Sequence, residues 1–237
     1  MKFALCVPTY NEESIILDTI FELSNILDKL SKNIQWQIII ADNGSSDKTR
    51  ELVASLKTDN VSVMSILEKG KGIAISNVSK NIDADFFGFI DADLSADPKI
   101  IPEMLNYLIF EKFDVVIGSR FSDKTLVSRG YFRSASSKIF NFLQSFILGI
   151  QVSDTQCGIK LMNRQGVEIL KICEEKTWFL DLEFLAYAEL KKLKIVEVPV
   201  RWNEFRYKNR KSKLRVWQDG FSAIIAMFRV KMRVNNI

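Results

Sequence analysis

Asp91-Ala92-Asp93 follows the apolar run Phe86-Phe87-Gly88-Phe89-Ile90, so two carboxylates stand at the carboxyl end of what reads as a buried strand. An α/β sheet keeps its ligands at that end. Two acids at this spacing repel, and a divalent cation is the simplest offset. Hard ions such as Mg²⁺ or Mn²⁺ take oxygen ligands, and Mg²⁺ is typically held by one or two carboxylates plus the phosphates of a substrate. A loop or a helix cap is the structural alternative, because Asp-x-Asp is short enough to recur by chance.

Other polar clusters follow other apolar runs. Pro8-Thr9-Tyr10-Asn11-Glu12-Glu13, Asp42-Asn43-Gly44-Ser45-Ser46-Asp47 and Gly118-Ser119-Arg120 each come directly after a strand-like segment. Taken singly, Asn11 and Asp47 read equally well as helix N-caps, Gly44 as a tight turn and Arg120 as half of a surface ion pair. Four clusters in phase at strand ends point to one crevice. Glu68-Lys69-Gly70-Lys71-Gly72 adds glycines that let backbone approach a ligand and lysines that meet phosphate. It lacks Walker spacing, and no Gly-x-Gly-x-x-Gly follows the first strand. A metal-bound nucleotide diphosphate, held without a phosphoryl-transfer loop, is the combination left.

The elements that must position these residues alternate. Lys2 to Val7, Trp36 to Ala41, Val61 to Ile66, Phe86 to Ile90 and Val115 to Gly118 read as strands. Ile15, Ile16, Thr19, Ile20, Leu23, Ile26, Leu27 and Leu30 recur at helical spacing, as do Leu52, Val53 and Leu56. Such alternation predicts βαβ units and a mainly parallel sheet. Helices are expected over 102–111, 132–150, 164–174, 181–193 and 216–232, with a strand over 195–200.

The chain has 237 residues, 47% hydrophobic, enough for one large α/β domain. Histidine is absent, which removes Ser-His-Asp and Cys-His schemes. Cys6, Cys157 and Cys173 are too few for a disulfide framework, which suits a cytoplasmic protein, and Cys6 and Cys173 read as core residues. No secretory signal is expected, and no stretch reaches the roughly 18 apolar residues a spanning helix needs. Residues 201–237 hold ten Lys/Arg and two acids, so that end carries about +8 and the remainder about −4. A basic end implies a negative partner or surface. Trp202, Phe205, Tyr207 and Trp217 in that tail are the feature pointing to nucleic acid, but the acid clusters would repel its backbone, and none is expected.

At these residues the chain resembles the family 2 glycosyltransferases of GT-A fold. Val7 to Glu12, Asp42 to Ser45, Gly70-Lys71-Gly72, Asp91-Ala92-Asp93 and Gly118-Ser119-Arg120 match that family's blocks in order and spacing. Arg129 to Arg133, Asp154-Thr155-Gln156-Cys157-Gly158, Trp178 to Glu183 and Ser212-Lys213-Leu214 are similar to its polyprenyl-phosphate branch, most of all to the dolichyl-phosphate β-glucosyltransferases. The resemblance implies a Rossmann-like GT-A domain over 1–215, with a nucleotide part to 120 and an acceptor part from 121. A basic amphipathic helix over 216–237 would follow. It also implies that Pro8, Tyr10, Asn11, Glu12 and Asp42 hold the nucleoside of UDP, Glu12 at the ribose and Asp42 at the base. Asp91 would approach the sugar and, with Asp93, the metal, Mg²⁺ or Mn²⁺. Lys71, Arg120, Arg133 and Lys213 would face the donor diphosphate and the acceptor phosphate, with Asp154 and Gln156 completing the sugar pocket. Asn43 stands where the family usually has a second Asp.

The implied reaction is inverting transfer of a hexosyl residue, glucose by resemblance, from a UDP-sugar to dolichyl or undecaprenyl phosphate. A phosphate monoester has a second pKa near ~6 and is nucleophilic without a general base, which suits a chain without histidine. Transfer to a hydroxyl of a soluble glycan or protein is the alternative, and it requires a base. Asp181 and Glu183 could serve as one, or as cap and dipole partners at a helix start. Helices 132–150 and 216–232 are broadly apolar and could lie in the headgroup zone of an anionic membrane or pack on the core. A peripheral enzyme on the cytoplasmic face is expected.

Overall fold

The computed structural model describes residues 1–121, 127–128, 140, 143–203, 206 and 216–235, with residues 127–128 and 216–221 described by backbone alone. Arg133, Lys213 and most of the helix expected over 132–150 lie outside the described residues; within that stretch, residues 143–148 are helical.

Strands β1 (Lys2–Thr9), β2 (Gln35–Asp42), β3 (Val61–Ser65), β4 (Phe86–Ile90) and β5 (Val115–Ser119) alternate with α1 (Ile16–Leu27), α2 (Thr49–Ala54), α3 (Lys71–Asn81) and α4 (Ile101–Ile109). The paired strand β6 (Val127–Ser128), then β7 (Ile159–Asn163), α5 (Arg164–Ile172), α6 (Leu180–Leu190), β8 (Ile195–Pro199), β9 (Trp202–Asn203) and α7 (Val216–Asn235) follow.

The main sheet runs β3-β2-β1-β4-β7-β5-β8, and β6 pairs with β9 alone. All neighbours in the main sheet are parallel except β7, which lies antiparallel between β4 and β5. This mostly parallel, helix-flanked sheet is the expected architecture with one strand the periodicity did not reveal. Phe3 to Val7 are completely buried, as a strand covered on both faces must be. Helix α1 turns Ile16, Thr19, Ile20, Leu23, Ile26 and Leu27 inward, the 3.6-residue stripe.

Because β1, β2, β4 and β5 point the same way, their carboxyl ends share one edge. Thr9 pairs with Asp42 across β1 and β2. Helix α7 buries Ala223, Ala226, Met227 and Val230 while Ile224, Ile225, Phe228 and Met232 stay exposed. It therefore packs on the core and also keeps an apolar outer face. Among the described residues, no helix is long and apolar enough to cross a membrane.

Candidate active site

The first wall is built by two loops bonded to each other. Asn11, in the left-handed region at φ 52°, donates its N–H to Ser45 Oγ at 2.9 Å and accepts the Ser46 N–H at 2.8 Å. The Glu12 N–H donates to Thr49 Oγ1 at 2.9 Å, and the Glu13 N–H to Asp47 at 3.0 Å. Asn11 is not an N-cap, since α1 begins after Ile15. Asp47 stands one residue before the cap position of α2 but accepts the N–H of that helix's first residue, Thr49, at 3.0 Å, and both residues tie the β1 loop to the β2 loop.

Asp42 is fully buried. One oxygen accepts the Ser45 N–H at 3.2 Å and faces Arg50 at 3.5 Å. The other, Oδ1, has no hydrogen-bond partner among the described residues. A buried unsatisfied acceptor costs free energy, and an incoming N–H donor would satisfy it. Asn43 uses both ends of its amide, donating Nδ2–H to the Glu68 carbonyl at 2.5 Å and accepting the Gly70 N–H. Aspartate could not make the first of these bonds, so the departure at Asn43 fastens the glycine turn.

The acid pair sits on a turn held at every residue. The Asp91 N–H donates to the Gly158 carbonyl at 3.1 Å, and Thr19 Oγ1 of α1 donates to the Ala92 carbonyl at 2.7 Å. Asp93 accepts the Ser95 N–H at 3.0 Å. Gly158 leaves room for this carboxylate, since a Cβ there would lie 2.2 Å from Asp91 Oδ2 and push it aside. Asp91 Oδ1 meets Lys71 Nζ at 2.6 Å. Burial disfavours the Lys71 ammonium, yet Asp91, then Asp181 and Asp93, hold its pKa above the ordinary value.

On the far side, Arg120 grips Asp154 through Nε at 2.7 Å and Nη2 at 2.6 Å, while its backbone N–H adds a third bond of 2.7 Å. This fork is a strong, directional pair. The guanidinium lies 4.7 Å over the Trp202 ring. Burial opposes its charge, but the Asp154 bond and field raise its pKa. Asp154 thus reaches the site through Arg120, with both oxygens already taken. Gln156 Nε2 is buried without a partner among the described residues, a free donor beside that pair.

Asp181 and Glu183 do not cap α6, whose N-cap Phe179 carries no side-chain cap bond. Asp181 pairs with Lys160 of β7 at 2.6 Å, and Glu183 accepts the Glu174 and Glu175 N–H groups at 2.7 and 2.6 Å.

Lys71 opens α3, Asp91 and Asp93 follow β4, Arg120 follows β5 and Asp154 precedes the antiparallel β7, so these residues lie at the carboxyl edge of the parallel strands, with Asp42 and the loop of Pro8, Tyr10, Asn11 and Glu12 along the same edge. Thr19, Gly158 and Trp178, whose ring lies 5.6 Å from Lys71 Nζ, were not assigned roles from sequence. Gly158 and Trp178 are the two with a signal, standing inside the Asp154 to Gly158 and Trp178 to Glu183 blocks.

Among the described residues no three His, Cys, Asp or Glu side chains gather at metal-holding spacing. Two carboxylates on a fixed turn nevertheless fit an ion whose remaining ligands are phosphate oxygens and water.

A mostly parallel, helix-flanked sheet with acids and cations at its carboxyl edge is the arrangement of an α/β ligand-binding fold. The chain belongs to Glycosyl transferase family 2, whose pattern matches residues 4–170. It is 26% identical over 206 residues to Glycosyltransferase AglD of Haloferax volcanii, covering 85% of this chain and 33% of that protein. It is 28% identical over 224 residues to the Dolichyl-phosphate beta-glucosyltransferase of Saccharomyces cerevisiae, covering 85% and 66%. The chain thus spans from a third to about two thirds of the length of these curated relatives. The fold is shared with glucosyl-3-phosphoglycerate synthase of Mycobacterium tuberculosis, solved with Mn²⁺, UDP and glucosyl-3-phosphoglycerate, at TM-score 0.71, 18% identity, 97% of this chain and 79% of that one.

Proposed function

We propose that the protein transfers a hexosyl residue, glucose, from UDP-glucose to a polyprenyl phosphate with inversion at the anomeric carbon, working peripherally at the cytoplasmic face of a membrane. The observation that carries this reading is the placement of two ion pairs, Lys71–Asp91 and Arg120–Asp154, at one sheet edge. Bringing two phosphorylated reactants to one carbon requires positive groups on both flanks, and this edge supplies them. The relative named a dolichyl-phosphate glucosyltransferase supports the acceptor class.

In this reading Asp42 Oδ1 accepts the N–H of the base and Glu12 takes ribose hydroxyls, with Pro8, Tyr10 and Asn11 shaping that wall. Asp93, with Asp91, would hold Mg²⁺ or Mn²⁺, which when bound neutralises charge on the diphosphate. Lys71 releases Asp91 and turns to the diphosphate, while Arg120, kept in place by Asp154, faces the acceptor phosphate. Gln156 donates to a sugar hydroxyl, and Arg133 and Lys213 complete the phosphate contacts. The acceptor is already ionised near neutral pH, so no side chain has to remove a proton. The exposed Ile224, Ile225, Phe228 and Met232 of α7 provide the face that meets the lipid surface.

Incubation of the protein with labelled UDP-glucose, Mn²⁺ or Mg²⁺ and vesicles carrying dolichyl or undecaprenyl phosphate tests this directly. A β-linked lipid-phosphate glucose is expected. Transfer to a soluble glycan without any lipid phosphate would overturn it.

A further inference from the structure

Lys71 is held at the mouth by a chain of contacts that begins 158 residues later in sequence, on the last helix. Glu175 lies in the connection between α5 and α6 and is almost completely buried. Arg229 of α7 grips both its oxygens, at 2.5 and 2.9 Å. Arg233, one turn on, donates to Glu175 at 3.2 Å and to the buried Glu183 at 3.0 Å. Glu183 in turn accepts the backbone N–H groups of Glu174 and Glu175.

The same connection is the seat of the glycine turn. The Ile73 N–H donates to the Lys176 carbonyl at 3.1 Å, and Lys176 pairs with Glu68. A Cβ at Gly70 would lie 2.0 Å from the Lys176 carbonyl oxygen, and one at Gly72 2.4 Å from that of Glu175. These two glycines therefore rest their Cα faces on the 175–177 backbone, and Lys71 stands between them. Trp178 of the same connection lies against the Lys71 ammonium.

We infer that Arg229 and Arg233 are positioning residues for the donor side of the site: through Glu175 and Glu183 they fix the 174–178 backbone on which Gly70-Lys71-Gly72 is seated. The inference rests on the reading of that site given above. Two arginines of the basic C-terminal segment are thereby committed inward, to buried carboxylates, rather than to an anionic surface.

The test compares wild type with Arg229→Gln, Arg233→Gln and the milder Arg229→Lys and Arg233→Lys, which keep the charge if the glutamine variants fail to fold. Lys231→Gln, on the same helix, is the control. Amide hydrogen exchange over residues 68–76 is measured without ligand, and initial rates are measured against donor and acceptor separately. Faster exchange at 68–76 is expected in the glutamine variants, with a rise of about tenfold in donor KM, little change in acceptor KM and partial recovery in the lysine variants. Lys231→Gln should match wild type in both.

Unchanged exchange at 68–76 in folded variants would overturn the inference whatever the donor is. Faster exchange with kcat lowered and donor KM unmoved would also overturn it, leaving a structural clamp only. Failure of the reading of the site is a separate result, a wild-type protein that uses no nucleotide sugar.

Discussion

The two ion pairs at the sheet edge have the same shortest contact, 2.6 Å, and different construction. Arg120–Asp154 is a bidentate fork whose carboxylate is 1% exposed, braced by a backbone N–H and an indole face. Lys71–Asp91 joins a point charge to a carboxylate whose side chain is 29% exposed. A fork buried to that degree is difficult to dissociate, because each partner would be left charged in a poor solvent. Lys71 is also mostly buried, its side chain 11% exposed, but Asp91 opens to solvent, so a ligand phosphate that took the flexible ammonium would keep it paired while the carboxylate turns to water. One pair is fixed architecture that presents Arg120, and the other is a contact a ligand can exchange.

Asp154→Asn should break the fixed pair and show the largest effect, a loss of roughly 3–5 kcal/mol in urea unfolding, since Arg120 would remain buried without its carboxylate. Loss of activity without loss of stability would erase the distinction between the pairs. Asp91→Asn should lower transfer about 10²–10³-fold and cost less stability than Asp154→Asn, since Asp181 and Asp93 also favour the Lys71 charge. Gly158→Ala sharpens the point, because its new methyl displaces Asp91 without removing the charge. A stability cost of about 1–3 kcal/mol is expected, with a loss of transfer smaller than that of Asp91→Asn.

The smallest effect is an alkaline one. Burial, then the charge of Asp154, pushes the Cys157 thiol up to about 12 from an ordinary 9.0. A thiol whose folded pKa is raised contributes stability that is intact below pH 9.0 and lost as pH climbs toward 12. Unfolding free energy should therefore stay level to about pH 9 and then decline, and iodoacetamide should leave Cys157 unmodified at pH 8 until the protein unfolds.

The mobile pair lies in the half of the molecule that was readable from local pattern. Strands β1 to β4 and the stripe of α1 follow from apolar periodicity, and the polar clusters at their ends came with them. Arg120 follows β5, which was readable in the same way, and the elements expected over 164–174, 181–193, 195–200 and 216–232 are present; the strand that brings its partner was not readable. Strand β7 carries Lys160 as its second residue, an unlikely one for a buried strand, and its neutralising partner Asp181 is supplied by α6. Arg120 and Asp154 are separated by 34 residues, a pairing created by the antiparallel insertion and invisible to any window. The same is true of Thr19, which belongs to the buried stripe of α1 yet spends its hydroxyl on the Ala92 carbonyl. A cap is the local alternative at Asn11 and Asp47 because capping is a common use of such residues before a helix; their cross-loop bonds become visible only when two loops are placed side by side.

Strand β7 also sets an order of assembly. Strands β4 and β5 are successive in the chain but never touch, since residues 159–163 must slide between them. Strands β1 to β4 can associate as soon as the first 90 residues exist, whereas the remaining part of the sheet must await a segment made much later. Asp91 and Arg120 follow strands that are joined through β7, so the two flanks of the edge are held together by a segment distant in sequence from both.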